Sequence, residues 1–293
     1  MGDMTRGALI FTGAAAATGV TVGVLAQKYA PVQETPATTP TIQASRIDGE
    51  IPLDASAVAW REAGSLKVAL KPQQLASPML EEATLDEMEV RALRTDRELG
   101  VLVRFASKQP GDLPGLASYG DAVAIQLPLR ASGKQPPVTM GGPGQPVHIV
   151  RWSSIWQRDV DRGRSGVETI YPNVVRDVSP ESVLPPRSAR LYSPARAVGN
   201  PVAELRRRWP VEEAFAEGFG TLTALPEQRA RAQGRHANDR WSVVISAPLD
   251  RSPSGDDIGE QLAVPIAFAL WIGSDDNRGS RKHYADWIQC NLG

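Results

Sequence analysis

The 293-residue chain contains a single cysteine, Cys290, and only three histidines, His148, His236 and His283. One thiol excludes an internal disulfide and a cysteine-based zinc or iron–sulfur centre. A basic surplus is also missing. Lys plus Arg total 32 against 33 Asp plus Glu, so the net charge is -1, which argues against a dedicated phosphate-binding, nucleic-acid partner. Common catalytic sets are absent too: there is no G-x-S-x-G elbow, no phosphate loop ending in Gly-Lys-Ser/Thr and no His-Glu-x-x-His. The histidines are widely spaced. His236 sits in the Arg-rich stretch RARAQGRHANDR and reads as a surface or satisfied side chain. Asp275 and Asp276, in GSDDNRG, read as a solvated turn, because neighbours on an extended chain point apart.

Hydrophobic residues make up 42% of the chain and charged residues 22%. A sizeable core is therefore within reach and wholesale disorder is excluded. The 26 glycines and 24 prolines suit a loop-rich β architecture better than a helical bundle.

From Gly7 to Gln27 there is no charged side chain, with Arg6 before the run and Lys28 after it. Its length and small-residue end fit either a secretory signal or a single membrane anchor, so residues 1–30 are expected to be an N-terminal apolar helix outside the globular body. Both readings imply export, to the periplasm or the outer face of the cytoplasmic membrane. Residues 31–45, PVQETPATTPTIQAS, are rich in Pro and Thr and read as a tether. The folded body is then expected over 46–293.

Short β-like runs recur within that body: 66–70, 99–105, 122–129, 147–152, 241–247 and 264–272. In the last, Val264, Ile266, Phe268, Leu270 and Ile272 share one face at period 2. Helical patterns are few, the best being 201–209 and 211–217. The expected fold is mainly β: an antiparallel β-sandwich with long loops and a few short helices. The irregular stretch 156–200 and the Arg-rich segments 203–208 and 229–240 are candidate partner-docking surfaces.

Two segments stand out chemically. In PPVTMGGPGQPVHIVRW (136–152), Met140 precedes a run of Gly and Pro, a sterically open backbone beside a thioether. In IAFALWIGSDDNRGSRKHYADW (266–287), an apolar strand leads through a turn to Arg281, Lys282 and His283. Each has a plain alternative: Met140 as a core gap-filler, Lys282 as a solvated surface charge.

These segments resemble, in order, the haem-binding γ subunits of type II enzymes of the dimethyl sulfoxide reductase family. That group includes ethylbenzene dehydrogenase, dimethylsulfide dehydrogenase, selenate reductase and chlorate reductase. Five further pieces match in order: DGEIPLDASAVAW (48–60), DAVAIQLPL (121–129), ARAVGNP (195–201), VEEAFAEGFGTLT (211–223) and RWSVVISAPL (240–249). The likeness covers nearly all of residues 46–293. It implies a β-sandwich related to some carbohydrate-binding modules, carrying one non-covalent b-type haem with Met140 and Lys282 as the two axial ligands. With no Cys-x-x-Cys-His motif, shape and apolar lining must hold the group. Trp152, Phe268 and Trp271 are candidate wall residues, with core packing as the alternative. Arg151 and Arg281 are candidate propionate partners, with solvent exposure as the alternative. His283 departs from the family pattern; on an extended strand it and Lys282 cannot both aim at one iron without a bulge. The resemblance further implies a non-catalytic electron-transfer subunit. Its partners would be a molybdenum-cofactor subunit, an iron–sulfur subunit and a cytochrome or quinone pool, and residues 7–27 could add a membrane contact. The rival readings are a haem-free carbohydrate- or ligand-binding sandwich, and an enzyme using His148 and His283 around a metal.

Overall fold

A computed structural model describes residues 39–293, apart from 113–114, 116, 131–134, 176–184, 186, 189–191, 201–202, 205 and 251–260. The apolar run at 7–27 lies outside the described residues. Among the described residues thirteen strands form one continuous sheet that folds over on itself. In chain order they are β1 (Thr41–Arg46), β2 (Ser65–Ala69), β3 (Lys71–Pro72), β4 (Glu87–Arg94), β5 (Glu98–Ala106), β6 (Ala122–Pro128), β7 (Val147–Ser153), β8 (Val211–Ala216), β9 (Thr223–Ala224), β10 (Arg231–Ala237), β11 (Arg240–Pro248), β12 (Ala263–Trp271) and β13 (His283–Asn291). The longer helices are α1 (Val58–Glu62) and α2 (Ser154–Arg162); single turns occur at Val167–Ile170 and Pro194–Ala197.

One layer runs β1-β13-β12-β6-β7-β8-β9 and the other β1-β4-β5-β11-β10. Strand β1 is the seam. Its first half, Thr41–Gln43, pairs in parallel with β13, and its second half, Ala44–Arg46, pairs in parallel with β4. The other pairings are antiparallel. The tether expected through residue 45 therefore stops short of β1. Ile42 and Ala44 are buried in the core, and the alternation TIQASR carries this with side chains too small and polar to announce a strand.

The strand runs read from the sequence all occur as strands. The helices expected at 201–209 and 211–217 do not. Residues 211–216 form β8, and the described residues of 203–209 hold no α-helix. In β8 the buried Glu213 takes an inward position where an apolar residue would have marked a strand.

The core between the layers draws on both: Val123, Ile125 and Val150 from one, Val101, Val103 and Val243 from the other. Trp152 meets Trp241 edge to face, centroids 4.8 Å apart. The outer face of the β4–β5–β11 layer is covered by residues 47–63, with Trp60 fully buried against Leu93, Leu102 and Val244. The outer face of the other layer carries the cavity described next.

Candidate functional site

Large and small residues alternate along the central strands of the β6–β7–β12–β13 layer. Val123, Ile125 and Leu127 point into the core while Ala124 and Gln126 point out; on β12, Ala267 and Ala269 take the outward positions. A row of outward alanines leaves a flat apolar floor, because a methyl group fills little of the space above a pleated sheet. Ile149 and Arg151 of β7 and Trp271 of β12 extend it. Loops wall it in: Leu75 after β3, Tyr119 before β6, Val138–Met140, Phe219 and Leu222 between β8 and β9, and Asn277–Ser280 between β12 and β13. The enclosed cavity is about 420 Å³, in the range of small-molecule and cofactor sites, about 300–1,000 Å³.

Met140 and Lys282, far apart in the chain, line this one cavity. Met140 sits in a tight turn at φ 68°, followed by Gly141 at φ 75°. A Met in the left-handed region costs on the order of 1–3 kcal/mol and persists only where the surroundings hold it. Here they do. The Met140 and Gly141 amides donate to Val138 and Pro137, and the Met140 carbonyl accepts from the Gly218 amide at 2.8 Å. The loop is further tied down by Gln126 Nε2 donating to the Val138 carbonyl at 3.2 Å and Trp287 Nε1 donating to Pro136 at 2.9 Å.

Lys282 reaches the cavity through a β-bulge. Register between β12 and β13 slips between Ile266 and Phe268, so three steps from Ala285 to Ile288 answer two on β12. The extra residue flips the parity of β13: Ile288 and Cys290 face the core at one end, His283 and Ala285 at the other, and Lys282 and Tyr284 turn out to the cavity. Among the described residues the Lys282 amine makes no ion pair. It lies 5.0 Å above the Trp271 ring, and burial, with the Arg151 guanidinium adding to it, pushes its pKa down to about 8.

Arg151 lies between two indoles, 5.6 Å from the Trp271 centroid and 5.0 Å from that of Trp156. Burial lowers its pKa and the Glu212 carboxylate works against that; a guanidinium stays charged throughout. Glu212 itself is pushed upward, by its own burial, against the pull of Arg151 and Arg207.

The other expected site residues fall as follows. Trp271 lines the cavity and anchors its turn, Nε1 donating to the Gly279 carbonyl at 3.0 Å. Phe268 touches the lining but belongs to the inter-layer core. Trp152 is not a wall residue. It alternates with Arg151 and so faces the core, Nε1 donating to Gln157 Oε1 at 3.1 Å. Arg281 is absent from the lining, its Nε buried without a hydrogen-bond partner. The guanidinium at that turn which does line the cavity is Arg278, 4.5 Å above Tyr119. His283 points the other way, Nε2 accepting from the Thr84 amide at 3.0 Å. His148 is buried 3.2 Å from the Glu213 carboxylate, which also accepts the Ala230 amide at 2.6 Å. Among the described residues no His, Cys, Asp or Glu cluster could hold a metal. Of the arginines at 229–240, Arg231 pairs with Glu50 and Glu98 and Arg229 with Asp250, while Arg235 and Arg240 are exposed. The floor alanines and Tyr119 escaped the sequence reading. The signal for the alanines was there in AVAI and IAFALW, where alanine alternates with larger apolar residues.

Fold and site together define a mainly β protein with an apolar cavity lined by Met140, Lys282, Arg151 and Arg278. The chain belongs to the ethylbenzene dehydrogenase family, whose pattern matches residues 57–283, and is a γ subunit of the type II dimethyl sulfoxide reductase group. It is 22% identical over 266 residues, 87% of this chain and 77% of the relative, to a putative respiratory nitrate reductase heme subunit of Haloferax mediterranei. It is 35% identical over 80 residues to the chlorate reductase γ subunit of Ideonella dechloratans, covering 27% of this chain and 34% of that one. It is 30% identical over 89 residues to the dimethylsulfide dehydrogenase γ subunit of Rhodovulum sulfidophilum, covering 28% and 34%. A solved family 9 carbohydrate-binding module of Caldicellulosiruptor kristjanssonii, in complex with glucose, covers 86% of this chain and 95% of its own at 9% identity, with a TM-score of 0.38.

Proposed function

We propose that this chain is the electron-transfer subunit of a molybdenum oxidoreductase complex and holds one b-type haem in the cavity. The observation that carries the reading is the meeting of Met140 and Lys282 at one apolar cavity. The donor set fits such a group. A thioether is a soft ligand suited to iron in its reduced state, and an amine can donate its lone pair only when neutral, the state that burial favours here. The alanine floor fits a flat apolar ring, and Arg151 and Arg278, which line the same cavity, would be the cations to pair with its carboxylate groups. When bound, a haem held by Met140 and Lys282 would supply one-electron transfer.

The chain's own residues do the rest. The Val138–Met140 turn holds the sulfur in place, strained and therefore pre-set. The bulge in β13 aims Lys282 at the cavity while His283 stays bound to the Thr84 amide. Phe219, Leu222 and Leu75 screen the mouth from water. The partners would be a catalytic subunit and an iron–sulfur subunit, with a cytochrome or quinone at the far end, and the apolar run at 7–27 supports an exported complex.

The test is an absorption spectrum with a pyridine hemochrome assay on the purified chain. One b-type haem with a low-spin Soret band is expected. Met140→Ala or Lys282→Ala should lower occupancy or move the spectrum towards high spin, and His283→Ala should leave it nearly unchanged. A colourless protein, or an unchanged spectrum in both ligand variants, would reject the reading.

A further inference from the structure

The wall between the cavity and α2 is built of alternating cations and indoles. Lys282 lies over Trp271 at 5.0 Å. Arg151 packs between Trp271 and Trp156, at 5.6 and 5.0 Å, and Arg207 covers Trp156 at 4.1 Å. This is a continuous packed layer from the cavity to the surface. Each contact is the cation-over-ring arrangement that holds such groups together. At its outer end stand Arg206 and Arg208, both exposed; neither makes an ion pair among the described residues.

Charge is divided unevenly along the chain. Residues 151–212 contain eleven arginines and no lysine against seven carboxylates. The remainder has 21 basic against 26 acidic side chains. A near-neutral protein thus carries a basic segment on an acidic body, and Arg207 of that segment covers the outer end of the layered wall.

We infer that the face formed by α2 and the Arg206–Arg208 run, with Trp156 packed beneath Arg207, is where the acidic surface of a one-electron carrier protein docks. The inference rests on the electron-transfer reading and adds the place of contact and the partner's sign of charge. Two requirements coincide at this face. Fixed positive charge steers and orients an acidic partner, and electron exchange favours packed side chains over open solvent between cavity and surface. On the opposite layer Arg104 is bonded to Glu89 and Arg231 to Glu50 and Glu98, whereas the exposed Arg235 and Arg240 there have, among the described residues, no indole layer leading from them to the cavity.

Two measurements on the full chain test this. The first uses hexacyanochromate(III), a redox-inert paramagnetic trianion, as a probe. It should broaden the indole N–H signals of Trp156 and of Trp209, which lies under Arg208 at 5.6 Å (assigned through Trp156→Phe and Trp209→Phe), before those of the other tryptophans, and the effect should fade at high ionic strength. The double variant Arg206→Glu/Arg208→Glu, altering two exposed side chains, should abolish the preference. Broadening centred on Arg235 and Arg240, or spread evenly, would overturn the proposal.

The second uses haem-loaded, reduced protein and ferricyanide. One electron leaves the protein, ferricyanide becomes ferrocyanide, and no proton or bond changes. The double variant should slow this about tenfold at low salt, within the range of electrostatic steering, and match the parent protein at high salt. Equal rates at low salt would sink the docking face. Failure of the chain to take up haem would instead sink the proposed function, and the broadening pattern would still decide the face.

Discussion

At the scale of single residues, the cavity sets function against stability. Met140 occupies a left-handed backbone position that glycine adopts without strain. Met140→Gly should leave the haem-free chain as stable or more so, by up to about 1 kcal/mol, while removing the low-spin signature. Urea unfolding and the absorption spectrum check the two halves. Lys282 tells the same story through pH. Its pKa falls from the ordinary 10.5 to about 8 in the folded haem-free chain, so between those values the unfolded chain binds more protons. Stability attributable to this group therefore rises with pH from about 8 to about 10.5 and is lowest below 8. Lys282→Met should stabilise the haem-free protein at pH 7, by no more than about 3.5 kcal/mol at about 1.4 kcal/mol per pKa unit, and the gain should vanish above pH 10.5. Thermal melts of both proteins across pH 6–11 measure it.

At the scale of elements, the two layers are joined at a few fully committed points. Gly234 of β10 lies against the Trp152 indole, where a Cβ would collide with the ring; its amide donates to Gln157 Oε1 at 2.7 Å. Gly234→Ala should cost about 1–3 kcal/mol, the range for overpacked cores, with a lower denaturant midpoint and an unchanged m-value. Asp121 is a second junction. Its carboxylate accepts Ser107 Oγ at 2.7 Å, Trp241 Nε1 at 2.8 Å and the Gly273 amide at 2.7 Å, tying the start of β6 to β11 and to the turn after β12. Asp121→Ala strands three buried donors, each worth about 1–3 kcal/mol when left unsatisfied. The expected outcome is a chain that fails to fold or loses most of its stability, scored by far-UV circular dichroism and soluble yield.

For the whole molecule, the seam strand is decisive. β1 is the only strand bonded to both layers among the described residues, and it buries Ile42 and Ala44. A chain begun at Arg46, the boundary suggested by composition, should lose cooperative unfolding. One begun at Thr39 should melt as the parent body does. Scanning calorimetry separates the two.

The sequence by itself determined the mainly β class, six of the thirteen strands, and the two chemically unusual segments. Periodicity of 2 is local, and so are the Gly–Pro turn after Met140 and the run Arg281–His283. It missed β4 and misread β8 and β1, whose residues favour another state or whose face is polar. β4, EMEVRALR, is built of good helix formers and becomes a strand because β5 and β2 pair with it. β8 hides behind a buried Glu213 whose partners, His148 and the Ala230 amide, come from other parts of the chain. β1 is too small and polar to declare itself. What only the tertiary structure decided is that Met140 and Lys282 open onto one cavity, that Trp152 turns its back on it, and that Arg278 stands there in place of Arg281. The physical reason is parity. A single bulge in β13 changes which face every residue beyond it takes, and bulges are set by pairing with a neighbouring strand, which no local pattern contains.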